Sequence, residues 1–186
     1  MPSPATSAPS AASAATARAE GDLAAARDAF LRALAIDERV YGPDHPNVAR
    51  DVNNLGGVLK DLGDLAGARA AYERALGIDE ATYGPEHPNV ATDVNNLGSV
   101  LLRLDDVPGA HQAALRALGI WERFLPPDHP TIEMARTNVA FCEALLKEDP
   151  ASGAEGKQVS RSSSRQAVTP CTSMLSASCP IWRETS

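Results

Sequence analysis

Apolar residues recur along this chain at helical spacing. Val48, Val52, Leu55, Leu59 and Leu62 fall at i, i+4, i+7, i+11 and i+14, which draws one apolar stripe down a helix. Pro46 suits the opening of that helix, because a proline there loses only an amide that would be unpaired anyway. A break follows around Asp61–Asp64, where Gly63 supplies the backbone freedom of a tight turn. A second helix starts near Asp64 and buries Leu65, Ala68, Tyr72, Ala75 and Leu76, until Tyr83-Gly84-Pro85 ends it. Connections this short make neighbouring helices antiparallel.

The two-helix unit then repeats. Tyr41–Thr82 aligned on Tyr83–Phe124 gives 27 identities in 42 positions without a gap. A worn third copy follows at Pro127-Asp128-His129-Pro130, and an earlier one shows in Gly21-Asp22-Leu23 and Arg32-Ala33-Leu34. A helix pair of this kind cannot bury its second face alone, whereas stacked copies can. The expected fold is therefore all-α, a right-handed α-α superhelix of about three helix pairs with disordered tails. Residues 21–147 form the array as six helices, residues 1–20 are an Ala/Ser/Pro-rich disordered tail, and residues 148–186 are a Ser-rich one. Nothing like the first helix of a unit stands before Gly21, so the array begins and ends on half units. The helix carrying Leu23, Phe30, Leu34 and Ile36 would then expose apolar surface, which predicts self-association.

The order small–Leu–Gly on the first helix, then Gly-Asp, Ala68, Tyr72 and Ala75 on the second, resembles the tetratricopeptide repeat. The 42-residue period, the Asn53-Asn54-Leu55-Gly56 and Asn95-Asn96-Leu97-Gly98 cores and the Tyr-Gly-Pro-Asp/Glu-His-Pro linker are similar to repeats of the kinesin light chain type. The third unit departs, with Thr137-Asn138-Val139-Ala140 in the core and Leu125-Pro126-Pro127 in the linker. The resemblance implies a solenoid whose first helices line a concave groove that holds a peptide.

Charge and chemistry narrow the function. Residues 21–149 carry 12 basic and 21 acidic side chains, a net of −9 within a chain of −7. So acidic a body repels phosphate backbones, which argues against nucleic acid. No apolar run reaches the ~20 residues of a membrane helix. Three cysteines (Cys142, Cys171, Cys179) form neither a disulfide framework nor a zinc pattern, which fits a cytoplasmic protein without metal or cofactor. His45, His87 and His129 recur beside prolines and read as helix caps, and Cys142 as a small buried residue. Asp37-Glu38, Asp79-Glu80 and Asp105-Asp106 read as solvated helix faces. With no phosphate loop or nucleophile motif, the chain is read as a binding protein and not an enzyme.

The asparagines are the strongest polar signal, since Asn is a mediocre helix former yet recurs in mid-helix. Asn54, Asn96 and Asn138 form one column and Asn53 and Asn95 another. Either these amides tie neighbouring helices together or they grip the backbone of a bound peptide. On the second reading the groove lining is Arg50, Asn53, Asn54 and Lys60, then Thr92, Asn95, Asn96, Ser99 and Arg103, then Asn138 and Phe141, with Gly57, Met134 and Thr137 beside them. This strip carries three basic residues and no acid, so the partner expected is an acidic protein segment with one apolar anchor. A self-associating or regulatory segment of a larger signalling protein, or an accessory subunit positioning an enzyme, are the alternatives.

Overall fold

The computed structural model describes residues 11–148, and all seven of the regular elements found there are α-helices. They are α1 (Ala11–Ala19), α2 (Leu23–Tyr41), α3 (Pro46–Asp61), α4 (Leu65–Tyr83), α5 (Pro88–Arg103), α6 (Val107–Trp121) and α7 (Pro130–Glu148). Each packs on the next in chain order, giving the pairs α1/α2, α3/α4 and α5/α6 and a closing α7. The chain is thus an all-helical repeat solenoid. None of the described helices is long and apolar enough to cross a membrane.

The repeat writes the same local chemistry at each junction. Asp22, Asp64 and Asp106 cap α2, α4 and α6, each carboxylate accepting an amide from three residues on at 2.9 Å. His45, His87 and His129 precede the helix-opening prolines, and their Nδ1 atoms accept the backbone N–H of Asn47, Asn89 and Thr131 at 3.1–3.2 Å. Each histidine therefore serves its own helix terminus. Tyr41 and Tyr83 stack on His45 and His87 with ring centroids 4.6 and 4.4 Å apart, pinning the linker to the cap. Gly63 turns the chain at φ +84°, and in the next unit Asp105 takes that place at φ +65°.

Small residues set the helix spacing. The Tyr72 ring lies on Gly56, where a Cβ would come within 2.9 Å of the ring. Val48, Val52, Leu55 and Val58 of α3 share one buried cluster with Phe30 and Leu34 of α2 and Ala71, Ala75 and Ile78 of α4. Successive units are further tied by Arg74, which reaches Glu38 at 2.6 Å, and by Arg116, which pairs with Glu80 in the same way one unit later. Arg136 closes the row on Glu122 at 2.8 Å.

Two expectations need correction. The segment before Gly21 is not wholly a tail: Ala11–Ala19 is helix α1, and its Ala14 and Ala17 pack with Phe30 and Leu34 of α2. It escaped notice because alanine carries no periodic contrast against its Ala/Ser surroundings, although alanine is the best helix former. The array therefore begins with a full pair and holds seven helices among the described residues, and the apolar face from which self-association was expected is covered. Residues 1–10 and 149–186 lie outside the described residues.

At the other end α7 has a polar outer side. The positions that pack α3 and α5 on their following helices are Ala49, Val52, Gly56 and Leu59, and Ala91, Val94, Gly98 and Leu101. In α7 they are Glu133, Arg136, Ala140 and Glu143, all exposed. A helix with that face closes a repeat array, because a further packed helix would have to bury its charges.

Candidate functional site

The asparagine columns lie between helices. Asn96 donates its amide to Asn53 Oδ1 at 3.1 Å, and one unit later Asn138 donates to Asn95 Oδ1 at 3.2 Å. These are two rungs of one ladder running α3–α5–α7, with the second asparagine of each core reaching the first asparagine of the preceding one. Asn95, Asn96 and Asn138 are at most 2% exposed. Ser99 is also buried, donating to the Asn96 carbonyl at 2.6 Å. A buried amide pair between stacked helices fixes register, because a slipped neighbour would leave both groups without a partner. These four residues therefore do not line an open groove as expected; the three asparagines join stacked helices, and Ser99 is buried against its own helix backbone.

Asn54 differs. It heads its column, and the position that would accept from it, 43 residues earlier as in the two rungs, is Ala11, which has no side-chain amide. Asn54 is half-buried and makes no side-chain hydrogen bond among the described residues; it lines an open depression of about 460 Å³ with Ala15, Arg18, Ala19, Phe30 and Asp61. Arg18 bridges this depression, lying over Gly57 and pairing with Asp61 at 2.8 Å. Sequence reading missed Arg18 because α1 itself was missed.

The remaining expected groove residues divide by partner. Arg50 is largely exposed and lies 3.3 Å from Asp51 and 3.9 Å from Asp37. Arg103 is exposed and donates to the Lys60 carbonyl at 2.7 Å, a cation at the C-terminal end of α3. Lys60 itself is half-buried, and Thr92 is half-buried with its hydroxyl donating to the Pro88 carbonyl at 3.2 Å. Phe141 is half-buried against Leu101, Leu102, Ala110 and Cys142, the last fully buried with a free thiol that burial pushes up from its ordinary pKa. The basic strip is thus largely engaged within the protein.

It also has acids beneath it. Asp51 on α3 and Asp93 on α5 stand one period apart and are buried, as is Asp79 on α4. Asp79 is buried, not part of a solvated face, and the strip, itself free of acid, has buried acids beneath it. Asn53 donates to Asp93 Oδ1, so the ladder is joined to this carboxyl. Burial raises the Asp51 carboxyl while Arg50 draws it back down. Asp93 is pushed up to about 7, chiefly by burial and then by the charge of Asp79, with the Asn53 amide pulling the other way. A signal was available in the sequence, since aspartates at 51 and 93 and at 37 and 79 keep the repeat period beside the apolar stripe.

The tetratricopeptide repeat family profile matches residues 7–81 and, overlapping, 51–123. The chain belongs to the tetratricopeptide repeat family. Repeats of this family are generally protein–protein interaction modules. Among solved structures, the chain is similar to a putative kinesin light chain of Podosopora anserina with nearly identical TPR-like repeats, with TM-score 0.68 and 18% identity over 74% of this chain and 67% of that one. A point variant of that protein gives the same score and identity over 74% and 66%. BtubC (BKLC) from P. vanneervenii is similar with TM-score 0.64 and 22% identity over 83% and 67%. The tetratricopeptide chain thus spans about two thirds of the length of each, and at these identities the likeness is one of fold. No curated protein matches it.

Proposed function

We propose that this tetratricopeptide chain is a non-catalytic adaptor of the cytoplasm that holds an extended segment of a partner protein along α1, α3, α5 and α7. The observation that carries the reading is Asn54. It offers both an amide donor and a carbonyl acceptor, neither used within the described residues, at the rim of the depression between α1 and α3. An amide side chain in that state matches the donor and acceptor of an extended backbone. The exposed alanines of α1, Ala15 and Ala19, offer apolar contact for an anchoring side chain of the segment, and Arg18 and Arg50 offer charge to an acidic residue in it.

The test is capture of partner proteins on the full chain, followed by peptide scanning of whatever is retained and titration of the minimal segment. Asn54→Ala should weaken that segment severalfold to a hundredfold, the loss of one or two interfacial hydrogen bonds of about 1–3 kcal/mol. Melting should barely change, since Asn54 holds no other helix. Asn96→Ala should do the reverse. Unchanged affinity in Asn54→Ala, with binding abolished by changes on the opposite, second-helix face, would overturn the reading.

A further inference from the structure

Among the described residues, the junction between α4 and α5 holds two buried carboxyls with no arginine or lysine paired to either. Asp79 is 7% exposed and Asp93 is 3% exposed. One oxygen of each, Asp79 Oδ1 and Asp93 Oδ2, is buried with no hydrogen-bond partner. Two carboxylates in that state repel each other and lack solvation, and a proton on one of them relieves both penalties.

The same pair exists one period earlier and is treated differently. There Asp37 and Asp51 face each other, and Arg50 lies 3.3 Å from Asp51 and 3.9 Å from Asp37. One period on from Arg50 the chain has Thr92, whose hydroxyl is turned to its own helix backbone. At the third interval the pair has become Trp121 and Ala135, both apolar and buried. Of these three equivalent junctions among the described residues, one carries an arginine, one is apolar, and only α4/α5 keeps an acid pair with no arginine beside it.

We propose that the α4/α5 junction is a proton-gated joint of the solenoid, closed when Asp93 carries a proton and loosened when that proton leaves. The surrounding groups are accounted for element by element. From α4, Asp79 and Glu80 act on Asp93, and both oppose its ionisation; Glu80 is held by Arg116 of α6. From α3 comes the neutral amide of Asn53, and from the linker His87 acts on Asp79, with the Asn89 side chain hydrogen-bonded to that carboxyl. Because Asn53 also accepts from Asn96, loosening the joint is transmitted to the rung that spaces α3 from α5. This inference does not depend on the proposed function.

The sign follows from linkage. Asp93 is raised from 3.8 to about 7 in the packed array, so the packed state binds more protons than the opened one between those values. The stabilisation is complete below the lower value and is lost as pH rises through the upper. Each pH unit between about 5 and about 7 should therefore shift the opening equilibrium by up to about tenfold, smaller if the opened joint stays partly dry.

The experiment is amide hydrogen exchange on the full chain, read as protection factors from about pH 5 to about pH 8 so that intrinsic exchange cancels. Protection of α5 and the end of α4 should fall as pH rises, while the α2/α3 junction, with its Arg50, should respond less. Asp93→Asn should abolish the slope. Thr92→Arg, copying the arginine of the earlier junction, should flatten it too, and tests the idea even if Asp93→Asn folds poorly. A wild-type slope in either variant that folds, or an equal response at both junctions, overturns the proposal.

Discussion

The Asn53–Asn96 rung is best tested by a double-mutant cycle, because its two ends are predicted to be unequal. Asn96→Ala removes one hydrogen bond of 3.1 Å and leaves Asn53 Oδ1 on a half-buried residue. That loss belongs at the low end of the range for a buried hydrogen bond, about 1 kcal/mol. Asn53→Ala strips two partners at once: the buried Asn96 amide loses its acceptor, and Asp93 loses its donor. Orphaned buried polar groups cost more than a lost bond, so about 2–3 kcal/mol is expected. With both asparagines gone the Asn96 penalty disappears, and the cycle should return a coupling of about 1 kcal/mol. Urea unfolding of the full chain, followed by far-ultraviolet circular dichroism at unchanged m-value, measures all three variants. In melting terms each kcal/mol corresponds to about 3 °C for an array of this size. A coupling indistinguishable from zero, or Asn96→Ala more damaging than Asn53→Ala, would refute the ladder as a stacking device.

Two backbone predictions follow from the turns and the helix contacts. Asp105 stands at φ +65° where the preceding units have Gly21 and Gly63, so Asp105→Gly should raise stability by about 0.5 kcal/mol after the added freedom of the unfolded glycine; a lowered melting temperature would count against it. Gly77→Ala and Gly56→Ala should have opposite signs in the same melting assay. Gly77 is exposed on α4 with open space beside it, so alanine gains up to about 1 kcal/mol of helix propensity. Gly56 lies under the fully buried Tyr72 ring, which cannot withdraw, so overpacking of about 1–3 kcal/mol outweighs that gain. Equal stabilisation by both would show that the ring contact is not tight.

The repeat, and with it the fold, is legible in the order of the amino acids alone. A 42-residue period carrying an apolar helical stripe, a proline opening, a histidine cap and a glycine turn leaves stacked antiparallel helix pairs as the structure in which every apolar face is buried. Helix caps were legible for the same reason, since a cap is satisfied within three residues of itself. What the repeat could not reveal is how each position is used once units stack. Asn54 and Asn96 are one position to the sequence, yet one amide is free at a depression and the other is sealed between helices, because only one has an asparagine across from it. Asp51 and Asp93 are likewise one position and burial raises both carboxyls, yet Asp51 has Arg50 beside it to oppose the shift where Asp93 has Thr92. Helix α1 was hidden for a related reason: its alanines show no pattern of their own, and become core only against Phe30 and Leu34. Burial and charge pairing are properties of the space between elements, so it is the packing of helix on helix that selects which polar residues remain open to a partner.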